Sequence, residues 1–109
     1  MPQNKAIKKM ADRVVEGYEA IHQKNYGRAK QLLEPLRELL HQEDRPNITF
    51  LSYLAIAQIG TKDIENFLET FEELEKYDAK NVKEEKLKTR VAELFQELME
   101  SLGDTRIGE

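Results

Sequence analysis

Hydrophobic residues recur at steps of three and four along most of the chain, the spacing that gives an α-helix one apolar face. The first of these segments covers about Asn4 to Gln23, and the second begins at Asn25 or Tyr26. Pro35 lies inside the second segment, where its missing N–H and its ring cost about 3 kcal/mol in a regular helix. Because the leucine pattern continues on both sides of Pro35, we expect a kinked helix rather than a break.

Three further helical segments follow a linker at residues 41–47. The third segment, residues 47–59, is apolar on nearly all sides, which predicts a central position in the fold. The fourth covers about 61–77 and has an acidic face opposite its apolar stripe, and the fifth covers about 81–102. No segment has the period of two that marks a strand between hairpin turns, so the sequence predicts an all-α fold.

Two glycines are expected to end helices, because glycine adopts the left-handed conformation of a helix C-terminus without strain. Gly60 follows the third helix and Gly103 follows the fifth, and residues 104–109 are predicted to form a flexible tail. The rest of the chain is expected to form a single domain over residues 1–103. This domain consists of hairpins over about 4–42 and 47–78 and a capping helix over about 81–102.

The first hairpin has a small residue at Gly17, an aromatic residue at Tyr26 and an alanine at Ala29. This spacing across a tight turn resembles the tetratricopeptide repeat. The resemblance implies that Gly17 lets the first helix approach its neighbour and that Tyr26 fills the gap beside the turn. It also implies that Ala29 lies where the two helices touch.

A second copy of this outline, 38 residues further along, has Ala55, Ile64 and Phe67 in the same places. The usual period of the family is about 34 residues, and the long linker accounts for the surplus. The resemblance covers about residues 12–78 and implies two tetratricopeptide-like hairpins plus a C-terminal capping helix, an alpha-alpha superhelix. The family's early Trp-Leu pair and closing proline are absent, so a plain bundle of helical hairpins stays open as an alternative.

The charges are unevenly distributed along a chain whose formal net charge is −4. Residues 1–30 hold seven basic and three acidic side chains, whereas residues 61–80 hold three basic and seven acidic ones. A nucleic-acid surface needs a denser basic face than the lysines of the first helix provide, so a nucleic-acid-linked regulator is the least favoured alternative. The N-terminal residues lack the apolar segment of a secretory signal, and no stretch is apolar and long enough to span a bilayer. We therefore expect a cytoplasmic protein without a membrane partner.

The sequence gives no indication of catalysis, and we expect neither an enzyme nor a cofactor. Cysteine is absent, which excludes thiol chemistry and cysteine-based zinc sites. His22 and His41 lie in different helices and lack the i, i+4 pairing of a helical metal site. The five glycines are too scattered to form a phosphate-binding loop.

The remaining function class is binding to another protein. In tetratricopeptide proteins the first helices of the hairpins line a concave groove for a peptide or a partner helix. Carried to this chain, that face comprises Ala11, Val14, Tyr18, Ile21 and His22 of the first helix and Thr49, Ser52, Ile56 and Ile59 of the third. Such a face suits an apolar peptide or helix. Two alternatives stay open: the fifth helix buries this face, or an exposed apolar face joins two copies in a homodimer.

The predicted core can be tested with two large-to-small substitutions. Leu33→Ala and Phe71→Ala should each lower the free energy of unfolding by roughly 2–5 kcal/mol, because each would remove buried apolar volume. Urea unfolding followed by circular dichroism measures both effects. Wild-type unfolding midpoints for both variants would contradict the predicted core.

Overall fold

The computed structural model describes the backbone of residues 2–107 and the side chains of residues 5–103. A single 3-10 turn, Glu34–Leu36, separates the second and third helices. No strand occurs over the described residues, and the prediction of an all-α fold is confirmed. The α-helices are α1 (Pro2–His22), α2 (Tyr26–Leu33), α3 (Arg37–Leu40), α4 (Ile48–Gly60), α5 (Ile64–Glu75) and α6 (Val82–Ile107).

Asparagine side chains fix the start of three helices. Asn25 and Asn47 each accept a hydrogen bond from the backbone N–H three residues further on, at 3.3 and 3.0 Å, and Asn81 does the same at 2.9 Å. These bonds satisfy N–H groups that the first turn of a helix leaves unpaired. The first helix starts earlier than the sequence predicts, because α1 already begins at Pro2 rather than near Asn4. Proline suits that first position because its φ is fixed near the helical value.

The predicted kink at Pro35 takes the form of a 3-10 turn. Pro35 has no N–H to donate to the carbonyl four residues earlier, so the α-helical pattern is interrupted there. The helix resumes as α3, which is only four residues long. The second predicted helix is therefore divided into α2, a turn and α3.

The two hairpin turns have the same backbone geometry, 38 residues apart. Each contains a left-handed lysine, Lys24 with φ 62° and Lys62 with φ 64°. The residue after each lysine donates its N–H to the carbonyl five positions back, at 2.8 Å from Asn25 and 2.9 Å from Asp63. This bond pattern is that of a Schellman helix end. The two turns, between α1 and α2 and between α4 and α5, therefore end the preceding helix in the same way.

The two glycines do not end helices in the way that the sequence predicts. No described glycine has a positive φ, and the left-handed residue after α4 is Lys62. The helix α6 continues through Gly103 to Ile107, so residues 104–107 are helical and only 108–109 of the predicted tail lie outside the described residues. One glycine inside a helix costs about 1 kcal/mol relative to alanine, which is not enough to end a long helix.

The helix α4 lies at the centre of the fold, as its all-round apolar sequence predicts. It contacts α1, α2, α5 and α6. Leu54 belongs to a core cluster with the α2 residue Leu33, while Leu51 belongs to a second cluster with Phe67 of α5 and Val91 of α6. All five of these side chains are fully buried. Burial on both sides of one helix joins the two hairpins into one structure.

Gly17 allows close packing between α1 and α2. A Cβ atom at this position would lie 2.6 Å from Cδ2 and 2.7 Å from Cγ of Leu33, which is itself fully buried. Ala29, also on α2, is completely buried as well. Both positions therefore belong to the tightly packed side of this hairpin.

His41 connects the linker to α5. Its Nδ1 accepts the backbone N–H of Asn47 at 3.1 Å, and its Nε2 lies 2.9 Å from Oε2 of Glu73. Because a backbone N–H can only donate, the ring proton lies on Nε2 and is donated to the carboxylate. Lys76 and Tyr77 donate to the same carboxylate at 3.0 and 2.8 Å. These donors, the His41 ring first among them, lower the pKa of Glu73 to about 2 although burial opposes the shift.

The Gly17 contact predicts opposite effects for two glycine substitutions. Gly17→Ala should lower the free energy of unfolding by about 1–3 kcal/mol, because the new methyl group overlaps Leu33. Gly27→Ala is the matched control, since a Cβ at Gly27 meets no atom within 4 Å. It should raise the free energy of unfolding by about 0.4–1 kcal/mol, because alanine lowers the conformational entropy of the unfolded chain. Urea unfolding compares the two, and equal effects would contradict the proposed close approach.

The Glu73 cluster predicts a stability change in acid. The folded-state pKa of Glu73 lies below its ordinary value of 4.5, so its contribution is complete above pH 4.5 and is lost as the pH falls towards about 2. The contribution at neutral pH is on the order of 3 kcal/mol, at about 1.4 kcal/mol per pKa unit. Glu73→Gln should flatten the dependence of the unfolding free energy on pH in this window. Glu72→Gln, an exposed neighbour, should leave the dependence unchanged.

Candidate partner-binding groove

A groove of about 570 Å³ opens between the C-terminal end of α1 and the middle of α6. Its base is formed by α4, which supplies Tyr53, Ile56 and Ile59. The first wall is formed by Ile21 and His22 of α1. The groove therefore exists because α1 and α6 both pack on α4 without closing on each other.

The helix α6 forms the second wall. Leu87, Leu94 and Leu98 face the groove, and Arg90 and Glu97 supply charges of opposite sign beside them. The sequence places these leucines in helical register, but it leaves open whether this helix caps the last hairpin or buries the predicted face. In the structure α6 covers part of α4 and leaves the groove beside it.

Aromatic side chains fix the base of the groove. The rings of Tyr18 and Tyr53 stack with centroids 4.2 Å apart. The Tyr53 hydroxyl oxygen lies 3.3 Å from Nε2 of His22, which holds the two side chains together at the wall. Burial, with a smaller effect from Tyr53, raises the pKa of Tyr18 to about 12. Tyr18 is therefore a neutral supporting ring at physiological pH.

The lining of the groove includes a close contact between the two hairpins. Tyr26 of α2 lines the groove together with Gly60 of α4. A Cβ atom at Gly60 would lie 2.4 Å from Cγ of Tyr26. Gly60 thus serves packing between hairpins, and its predicted role as a left-handed helix end is wrong.

Four of the nine predicted binding residues line the groove: Ile21, His22, Ile56 and Ile59. They lie in the C-terminal halves of α1 and α4, close to the two hairpin turns. Tyr18 does not line the groove but supports it through its stack on Tyr53.

The other predicted residues lie elsewhere. Ser52 is fully buried outside the groove lining, and its hydroxyl has no hydrogen-bond partner among the described residues. The reason is that α4 is covered on nearly all sides at this level. Val14 is half-buried against the first core cluster, Ala11 is exposed, and Thr49 is half-buried, all three outside the groove lining.

Within residues 5–103, no group of three histidine or acidic side chains is placed to hold a metal ion. None of the described helices combines the length and the apolar character that crossing a membrane requires. The chemical character of the groove is that of a contact surface: isoleucine, leucine and tyrosine side chains, with one histidine and one pair of opposite charges.

Comparison with known proteins adds no relative. The sequence matches no protein-family model, and neither a curated protein nor a solved structure matches the chain.

Proposed function

We propose that this chain is a non-catalytic protein–protein interaction module of tetratricopeptide-like architecture. In this proposal two hairpin repeats and α6 together bind an apolar helix or extended peptide of another protein. The observation that carries it is the open groove between α1 and α6, lined by half-buried leucines and isoleucines and by the buried Ile21.

The repeat architecture is supported by the two hairpins themselves. Their turns share the left-handed lysine and the same hydrogen bonds at an offset of 38 residues. Gly17 and Ala29 lie at the close contact of α1 and α2, as the family pattern implies. In this arrangement α6 is the terminal element that covers one side of the last hairpin.

The volume and the apolar lining of the groove suit the side chains of a bound helix or peptide. A volume of about 570 Å³ accommodates a few side chains. An amphipathic helix that places apolar residues three and four positions apart would insert them between the two walls. Arg90 and Glu97 at the α6 wall would then select the flanking charges of the bound segment.

The proposal can be tested with a displayed peptide library, in which the random segment has about 16 residues, or four helical turns. We expect selected peptides to bind the purified wild-type chain and to lose about tenfold or more in affinity on Leu94→Glu, which places a charge in the apolar wall. Isothermal titration calorimetry of each peptide measures the change.

The matched control is Leu102→Glu, the same substitution on the same helix. Leu102 is 50% exposed and does not line the groove, so its variant should bind like the wild type. Circular dichroism must show that both variants retain the wild-type helix content. The proposal fails if the library yields no binder, or if the selected peptides bind the Leu94→Glu variant with wild-type affinity.

A further inference from the structure

A second apolar concavity, of about 470 Å³, lies between the N-terminal half of α1 and the short helix α3. We call it the α1–α3 patch. Ile7 and Leu39 stand on its surface with 60% and 67% of their area exposed, and Met10 and Leu36 line it further in. Such a nearly continuous apolar surface is typical of an interaction site.

The α1–α3 patch exists because α1 is longer than α2 and α3, the helices that pack beside it. The helix α1 has 21 residues, whereas α2 has 8 and α3 has 4. The 3-10 turn at Pro35 separates the two short helices, and the first turns of α1 are therefore only partly covered. The apolar side of α1 continues into this uncovered part through Ile7 and Met10.

The patch is basic along one side. Lys9 and Arg13 line it, and neither forms an ion pair with another described side chain. The part of α1 that forms the patch, residues 5–13, has four basic side chains and one acidic side chain. A surface that complements the patch must therefore combine an apolar projection with carboxylates.

The outer face of α5 has this combination. Leu68 is 37% exposed there, and Glu65 and Glu72 lie beside it at the i−3 and i+4 positions of the helix. Glu69 is the next exposed residue, and none of the three carboxylates has an ion-pair partner among the described side chains. One chain thus carries both members of a complementary pair of surfaces.

We propose that the α1–α3 patch binds the outer face of α5 of a second copy of this chain. Leu68 of one copy enters the concavity of the other, and its neighbouring glutamates approach Lys9 and Arg13. The two surfaces border the same stretch of chain, since Arg37 of α3 shares a hollow with Glu69 and Glu72. A twofold axis near α3 therefore allows both contacts to form at once.

Analytical ultracentrifugation over a range of concentrations tests this contact directly. We expect the weight-average mass to rise towards that of a dimer between about 10 µM and about 1 mM at low ionic strength. Raising the salt concentration to about 0.5 M should weaken association, because it screens exposed charges. A chain that remains a monomer up to about 1 mM at low salt overturns the proposal.

Charge reversal identifies the surfaces. Lys9→Glu with Arg13→Glu should abolish self-association, and so should Glu65→Lys with Glu72→Lys. A mixture of these two double variants, or the chain that combines all four changes, should associate again because opposite charges face each other. Failure of both combinations to restore association overturns the assignment.

Two controls separate this contact from other effects. Lys5→Glu with Lys8→Glu changes the net charge by as much as Lys9→Glu with Arg13→Glu does. Lys5 and Lys8 are exposed and lie outside the patch lining, so this double variant should dimerise like the wild type. Leu94→Glu changes the groove between α1 and α6, and this variant should also dimerise like the wild type. Dimerisation that is lost with either control contradicts the proposed surfaces, whatever the result for peptide binding.

Discussion

Burial of α4 on nearly all sides is the constraint on which the rest of this structure depends. A 13-residue helix without a charged side chain, nine of whose residues are buried, needs neighbours around most of its circumference. The first hairpin and the second half of the chain provide them from opposite sides, in two separate core clusters. Each hairpin alone would leave one side of α4 in water, so the two halves stabilise each other through this one helix.

The same constraint produces the groove. Both α1 and α6 pack on α4, and the groove opens between them. Most of the apolar side chains that line it are only half-buried. The groove is therefore a space that the packing of these three helices leaves unfilled.

Local signals account for most of the fold that could be predicted from the sequence. The asparagine caps at Asn25 and Asn47, the interruption at Pro35 and the apolar character of α4 act within a few residues, where sequence and structure are closely linked. The helix ends that were predicted incorrectly were also inferred from local signals alone. Gly60 and Gly103 both resemble helix stop signals. In the structure Gly60 instead lies against Tyr26, and α6 continues through Gly103.

The candidate site was harder to predict because it depends on contacts between distant residues. His22 and Tyr53 are 31 residues apart, and nothing in the sequence pairs them. The leucines of α6 were visible as a helical stripe, yet their position opposite Ile56 follows from how α6 is placed on α4. Ser52 illustrates the reverse case: a polar residue at a predicted inner position is enclosed because α4 is covered there.

The contact between Tyr26 and Gly60 links the shape of the groove to the packing of the two hairpins. Tyr26 lines the groove and lies against Gly60 of α4, where a Cβ atom would overlap its ring. Because Gly60 has no side chain, the Tyr26 ring packs directly against α4 beside the groove. A substitution at Gly60 would therefore displace Tyr26 and change the shape of the groove itself.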